Sequence, residues 1–329
     1  MCGHIRFFTV CASLIIILLV SCGIASQGEE VEFSSTWFSK LDDDEIDLLI
    51  EMDRELSSLE AFYHDLSMKV IRSHYVPKER EGETLPFSAE PDFTGMFLRG
   101  IVEYQYYANN SEYFRIDTTV LDVNDPGHVA ADTIAIKRKD EAFLISGETR
   151  ELRLHGKGDS PYTRQFTVST GFASAFVHYG QRCSDTVLNR IDYSELPAGL
   201  TRSLGDIVVS GENDRYVSVT VFNHGEGSEV TTAFVFHFDR ERHWALQEVV
   251  HDLMDAALPT TKIVMQCRYR DELTRDEEFP ILSQVVVSEY EIIDGEEEAK
   301  VAGYLYSIPE ITPESPDISL FDVEAILGR

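Results

Sequence analysis

From residue 62 onward, apolar side chains recur at every second position in run after run. A period of two places all the apolar members on one face of an extended chain and does not fit the 3.6-residue period of a helix. The pattern restricts the chain to folds made of half-buried strands. Phe62, Leu66, Met68 and Val70 predict a strand over 61–72. Met96, Leu98, Val102, Tyr104 and Tyr106 predict a long one, and after a turn at 108–112, Phe114, Ile116 and Val120 return with Tyr113, Arg115 and Asp117 on the opposite face. Ile134 and Ile136 lead through Lys139-Asp140-Glu141 to Phe143 and Ile145, and Leu152 and Leu154 continue the habit. In the second half the runs are Val217 to Val221, Val230 to Phe238, Trp244, Leu246 and Val250, Ile263 to Tyr269, Val285 and Val287, and Val301 to Ile308. His224 to Gly227 and Asp294-Gly295 read as turns. The count is roughly eleven strands with no alternating long helices, which excludes a doubly wound α/β fold. The expected class is mainly β (α+β): one large antiparallel sheet, strongly curved or an unclosed barrel.

One segment departs from this period. Leu49, Met52, Leu56 and Leu59, with Ile46 on the same side, follow helical spacing and predict an amphipathic helix over about 41–60. Asp42, Asp43, Asp44 and Glu45 stand at its start, where the helix dipole favours anions. A second, short helix is expected over 170–181, carrying Phe172, Phe176 and Val177. Loops are expected at 77–92, 122–131 and 155–164, and a Pro-rich tail over 309–316.

The N-terminus is a targeting segment. Arg6 supplies a positive charge, and Phe7 to Val20 is an apolar stretch too short to span a bilayer comfortably. Leu19-Val20-Ser21-Cys22 closes it. Three outcomes stay open: lipidation of Cys22, cleavage after Ala25 to release a secreted protein, and retention of Phe7–Ala25 as an anchor. Residues 1–21 then form a signal peptide, 22–40 a Ser-, Gly- and Glu-rich tether, and 41–329 a single β-rich domain. Without residues 1–21 the chain keeps 27 Lys+Arg against 58 Asp+Glu. So acidic a chain repels nucleic acid and anionic headgroups, although 43 % hydrophobic residues mark it as folded rather than a disordered tail. After removal of Cys2 and Cys11 and acylation of Cys22, Cys183 and Cys267 remain. A disulfide between them closes a loop of about 85 residues and stabilises by roughly 4–5 kcal/mol; two buried thiols are the alternative.

The tetrad ending at Cys22 resembles the bacterial lipobox, in which diacylglyceryl transfer to sulfur precedes cleavage before the cysteine. That resemblance implies an envelope lipoprotein facing the periplasm. Gly23 follows the cysteine rather than the Asp of the inner-membrane retention pattern, which favours the outer membrane. Behind it, Leu56-Ser57-Ser58-Leu59-Glu60-Ala61-Phe62 as helix end into first strand, Tyr113-Phe114-Arg115-Ile116-Asp117 as an aromatic-Arg-acid strand, and the hairpin at 133–145 are similar to LolA/LolB-like envelope proteins over residues 41–155. The resemblance implies an unclosed barrel lidded by helices that cradles acyl chains. The chain is longer than the typical carrier, and Lys139-Asp140-Glu141 replaces the family's Asp-Gly turn.

Catalytic chemistry finds little support. Gly171-Phe172-Ala173-Ser174 lacks the second glycine of a nucleophile elbow. His237, His243 and His251 are spaced six and eight apart, which fits no zinc signature and reads as surface or hydrogen-bonded histidines. Asp122-Val123-Asn124-Asp125-Pro126-Gly127 resembles an EF-hand loop but carries Pro126 at its fifth position, so it is a turn. No cofactor or metal is expected. The functional lead is aromatic: Tyr104, Tyr106 and Phe114 in one group, Phe234, Phe236, Phe238 and Trp244 in another. Two roles follow. One is a non-catalytic, membrane-tethered protein whose apolar cradle takes lipid or lipidated cargo. The other is a structural or interaction lipoprotein with a filled core.

Overall fold

Four members of the predicted apolar stripe of the first helix are buried. The computed structural model of the chain describes residues 43–77, 86, 88–110, 112–125, 127–157, 207–211, 215–224, 230–255, 258–270, 279–293 and 297–329. Helix α1 (Asp43–Tyr63) puts Leu49, Met52, Leu56 and Leu59 into the core. It runs past the predicted end because Tyr63, four residues after Leu59, continues the stripe and is buried with it. Phe62 is therefore helical, and the first strand starts later than the sequence pattern places it.

Among the described residues thirteen strands follow, two more than the alternation marks: β1 (Ser67–Val76), β2 (Phe97–Asn109), β3 (Tyr113–Leu121), β4 (Val129–Arg138), β5 (Glu141–Ser146), β6 (Leu152–Lys157), β7 (Ile207–Gly211), β8 (Tyr216–His224), β9 (Val230–Asp239), β10 (Ala245–Asp255), β11 (Leu258–Tyr269), β12 (Leu282–Ile293) and β13 (Glu297–Thr312). They form one sheet in the order β6-β5-β4-β3-β2-β1-β13-β12-β11-β10-β9-β8-β7. Two meanders thus run outward from a central antiparallel joint between β1 and β13. Among the described residues β6 and β7 are edges and do not pair, so the sheet is not closed into a barrel. The predicted mainly-β class with one N-terminal helix holds, and this is the architecture that the LolA/LolB resemblance implies. The signal and tether, the helix expected over 170–181, Cys183, and the turns at 225–227 and 294–295 lie outside the described residues.

Three bulges change the predicted faces. β1 passes from His74↔Gly100 to Tyr75↔Leu98 across β2, leaving Arg99 as the extra residue. One extra residue inverts the alternation, so Met96 and Leu98 leave the face of Val102, Tyr104 and Tyr106 and join Tyr75, Phe93, Val286 and Leu305 on the other side. Gln247 is the extra residue of β10, so Val249 rather than Val250 points into the core, together with His251. The predicted tail at 309–316 begins inside β13. Its bulge, opposite Val70, takes up Pro309, which has no N–H to give. Likewise His155–Lys157 belong to β6 rather than to a loop.

Both faces of the sheet are covered in part. The main core lies between α1 and the helix face, from Phe114 on β3 to Val217 and Val219 on β8. On the outer face, Ile134, Ile136, Phe143 and Ile145 pack under Phe321 and Val323 of a C-terminal segment ending in helix α2 (Val323–Leu327). Arg115 ties this segment down. It grips Asp117 with two hydrogen bonds of 2.7 Å and donates a third, of 2.9 Å, to the Leu320 carbonyl.

Candidate functional site

The helix face collects every aromatic residue singled out from the sequence. Tyr104 and Tyr106 on β2, Phe114 on β3, the row Phe234, Phe236 and Phe238 on β9, and Trp244 in the β9–β10 connection all belong to one core cluster. The three phenylalanine rings stack along the strand at 6.0 and 6.3 Å, and Trp244 meets Phe238 edge-on at 6.1 Å. Six of the seven are at most 9 % exposed; Phe234 is half-buried. Rings this buried touch neighbouring atoms rather than a void wide enough for an acyl chain. Under α1 the expected cradle is therefore a packed core.

Helix α1 is held there by polar contacts as well as by its apolar stripe. Arg240 Nε donates to Glu51 Oε1 at 2.8 Å, and its terminal nitrogen donates to Glu51 Oε2. The Trp244 indole N–H also donates to Glu51 Oε1, at 3.1 Å. One turn on, His243 Nδ1 lies 2.9 Å from Glu55 Oε2. Hydrogen bonds from Arg240 to Glu51 and from His243 to Glu55 keep both carboxyls below the usual value. At the other end the Tyr63 hydroxyl donates to the Pro280 carbonyl at 3.1 Å and accepts from the Leu282 N–H at 2.9 Å. His64, just past the helix, meets the Phe114 ring edge-on at 5.5 Å. The helix thus crosses from the β9–β10 connection, past the start of β12, to β3, over one end of the strands.

The same face continues beyond the helix, and there its chemistry changes. By register, Arg72 pairs with Val102 and Tyr306, His74 with Gly100 and Tyr304, Glu289 with Ala302 and Ile263, and His251 with Ile263 and Phe234. Cross-strand partners share a face, so Arg72, His74, Glu289 and His251 all stand on the face that carries the core. Arg72 lies 5.9 Å from the Tyr104 ring centroid and hydrogen-bonds Tyr306. His74 stacks on Tyr304 at 4.6 Å and His251 on Phe234 at 4.0 Å. Burial pushes both histidines down to about 4, and for His74 the charges of Arg72 and Arg99 add to it. Burial pushes the Glu289 carboxyl up. His251 Nε2 is buried with no hydrogen-bond partner among the described residues, as is the Tyr106 hydroxyl. Opposite His74, a Cβ placed on Gly100 would meet nothing within 4 Å.

The expectation for the three histidines is thus corrected in one case. His237 sits on the outer face 2.7 Å from the Ser218 hydroxyl, and His243 bonds to α1. His251 is neither exposed nor hydrogen-bonded through Nε2, because the Gln247 bulge turns it inward. The three histidines stand on separate features and make no common site. The Asp122–Gly127 segment is a turn as read, with Asp122 and Asp125 accepting from the Asn124 and Gly127 N–H groups. Cys267 is a buried thiol with no disulfide partner among the described residues, pushed up by burial, and Cys183 lies outside them. Arg72 and His74 carried a signal: they extend the phase of Met68 and Val70 by two polar members. Glu289 likewise extends Val285 and Val287.

No protein-family model matches the sequence, and no curated protein matches it. Several solved structures align over most of the chain, two of them as follows. A DUF1329 family protein from Desulfovibrio piger shares 10 % identity at a TM-score of 0.37, over 84 % of this chain and 98 % of that one. LprF from Mycobacterium bovis shares 10 % at a TM-score of 0.27, over 82 % and 97 %. TM-scores below 0.5 establish neither a shared family nor a shared function.

Proposed function

We propose that this chain is a non-catalytic, lipid-anchored binding protein of a bacterial envelope. It faces the periplasm from the outer membrane and takes an apolar ligand, a lipid or lipidated cargo, on the helix face of its sheet. The anchor is Cys22 in Leu19-Val20-Ser21-Cys22, and cleavage after Ala25 to a secreted form is its alternative. One observation supports a ligand: among the described residues the apolar face is much larger than its cover. An α-helix is about 10–12 Å wide and covers only three or four residues along a strand at about 3.3 Å per residue. Strands β2 and β13 are 13 and 16 residues long. Rows of inward side chains therefore extend past α1, and Phe234, Ile263 and Val120 among them are only half-buried.

A second reading has its own support. The burial of six of the seven aromatic rings favours a structural or interaction lipoprotein whose core is already filled. Native mass spectrometry of the Cys22→Ala chain, followed by solvent extraction, separates the two. A lipid-sized adduct lost on extraction supports binding, and a bare protein mass supports the filled core. The same variant tests the anchor. It is expected in the soluble fraction, and persistent membrane association removes Cys22 as the tether.

A further inference from the structure

At the end of the described face beyond α1, Gly100 stands beside the Arg99 bulge in a backbone conformation that does not require glycine. Gly100 lies within β2, where glycine weakens a strand by roughly 0.5–1 kcal/mol relative to alanine. Its φ is not in the left-handed region, and a Cβ there would meet nothing within 4 Å. Gly303, on the outer face of β13, is different: a Cβ there would lie 2.1 Å from the Phe93 ring. Gly303 is small because Phe93 needs the space. What Gly100 supplies is room, on the helix face, beside the His74 ring that pairs with it.

The surroundings of that room are basic. His74 is stacked on Tyr304 on the β13 side, so Gly100 lies on its other flank. Arg72 stands two residues back on the same face, oriented by Tyr104 and Tyr306. Arg99 is the extra residue of the bulge next to Gly100. Both guanidiniums are near enough for their charge to act on His74. A glycine in a strand interior marks a bulge, as beside Arg99 here, or a site that a ligand or another backbone approaches closely, and planar guanidiniums match a carboxylate's two oxygens.

We infer that the space over Gly100, between His74 and the guanidiniums of Arg72 and Arg99, seats the carboxylate of a long-chain fatty acid. The acyl chain lies across the same face over the buried Ala302 and the half-buried Ile263, which flank the Glu289 carboxyl. This rests on the apolar-ligand reading above and adds the headgroup. The chain's net charge of −30 makes the local basic pair the feature that selects an anion here.

Binding of oleate and of oleyl alcohol to the full Cys22→Ala chain, each displacing a fluorescent acyl probe, tests the headgroup. Oleate is expected to bind more tightly than the alcohol by roughly ten-fold or more, the factor for one charge-assisted contact. Arg99→Gln should lose that advantage while leaving the alcohol unchanged. Gly100→Val should weaken oleate by a similar factor yet unfold at an unchanged or higher temperature, since no neighbour is displaced. Equal binding of the two ligands, or full oleate affinity in Gly100→Val, overturns the carboxylate site while leaving an apolar ligand in place. Failure of both ligands to displace the probe overturns the site together with the apolar-ligand reading.

Discussion

The two ends of the helix face are built from the same strands and serve different ends. Under α1, the inward positions are Tyr106, Phe238, Trp244, Leu246 and Leu282, all closed over by Leu49, Met52, Leu56 and Leu59. At the other end, the strands offer Arg72, His74, His251 and Glu289 in the same phase. A core built only for stability has no use for a buried imidazole nitrogen without a partner, because desolvating such a group costs about 1–3 kcal/mol. The difference teaches that the period-two pattern assigns a face and not a role. The role depends on what lies over each stretch.

The comparison breaks most visibly at the covered end. Trp244→Ala should destabilise by about 3–5 kcal/mol, since it empties a fully buried indole site and removes a bond to Glu51. Urea unfolding measures it, and a loss below about 1 kcal/mol would show that α1 packs more loosely than its contacts indicate.

The end beyond α1 should answer mainly to acid. His251 and His74 are neutral in the fold, with values near 4 against 6.5 for the free side chain. The unfolded chain therefore takes up protons first, and stability falls as pH drops from about 6.5 to 4. His251→Phe keeps the ring against Phe234 and needs no proton. It should be neutral or stabilising at pH 8 and should recover about 2–3 kcal/mol at pH 4. A variant whose acid profile tracks the parent would show that His251 is not buried as described.

The carboxylates of the helix clamp act in a lower window. Glu51 and Glu55 are depressed in the fold, so their contribution is complete above the free value of 4.5 and disappears as pH falls through their folded values. Glu51→Gln should cost about 1 kcal/mol at pH 7, and the deficit should shrink below pH 4.5. A pH-independent deficit would assign the effect to lost packing. Smallest of all, Arg54→Ala touches only an exposed pair with its neighbour Glu55 and should change stability by less than about 0.5 kcal/mol.

The legible part of the fold was the part in which period and face agree. Leu49, Met52, Leu56 and Leu59 announce α1, and Phe114, Ile116, Ile134 and Ile136 announce their hairpins. Bulges defeated the rest, because a single extra residue such as Arg99 or Gln247 inverts every side chain beyond it while leaving composition unchanged. This is why the alternation places Met96 and Leu98 on the wrong face and His251 among exposed or hydrogen-bonded histidines. The outer-face cluster was hidden for a different reason. Ile134 and Phe143 look the same in sequence whether α1 or Phe321 covers them, and only Phe321's distant position along the chain decides it. The site was half legible: the aromatic rows were found, but the polar side chains in their phase were passed over.

The central joint between β1 and β13 has a consequence for how the molecule is made. Residues 67–76 find their second partner only in residues 297–312, so the first strand to leave the ribosome waits for the last. Until then the two meanders are separate half-sheets, each with a second raw edge of unpaired amides and carbonyls besides that of β6 or β7. Such edges invite pairing with other chains, and contacts this distant in sequence form slowly. The nascent chain is therefore most vulnerable to aggregation just before residues 297–312 emerge, when two large apolar faces exist and the seam between them does not.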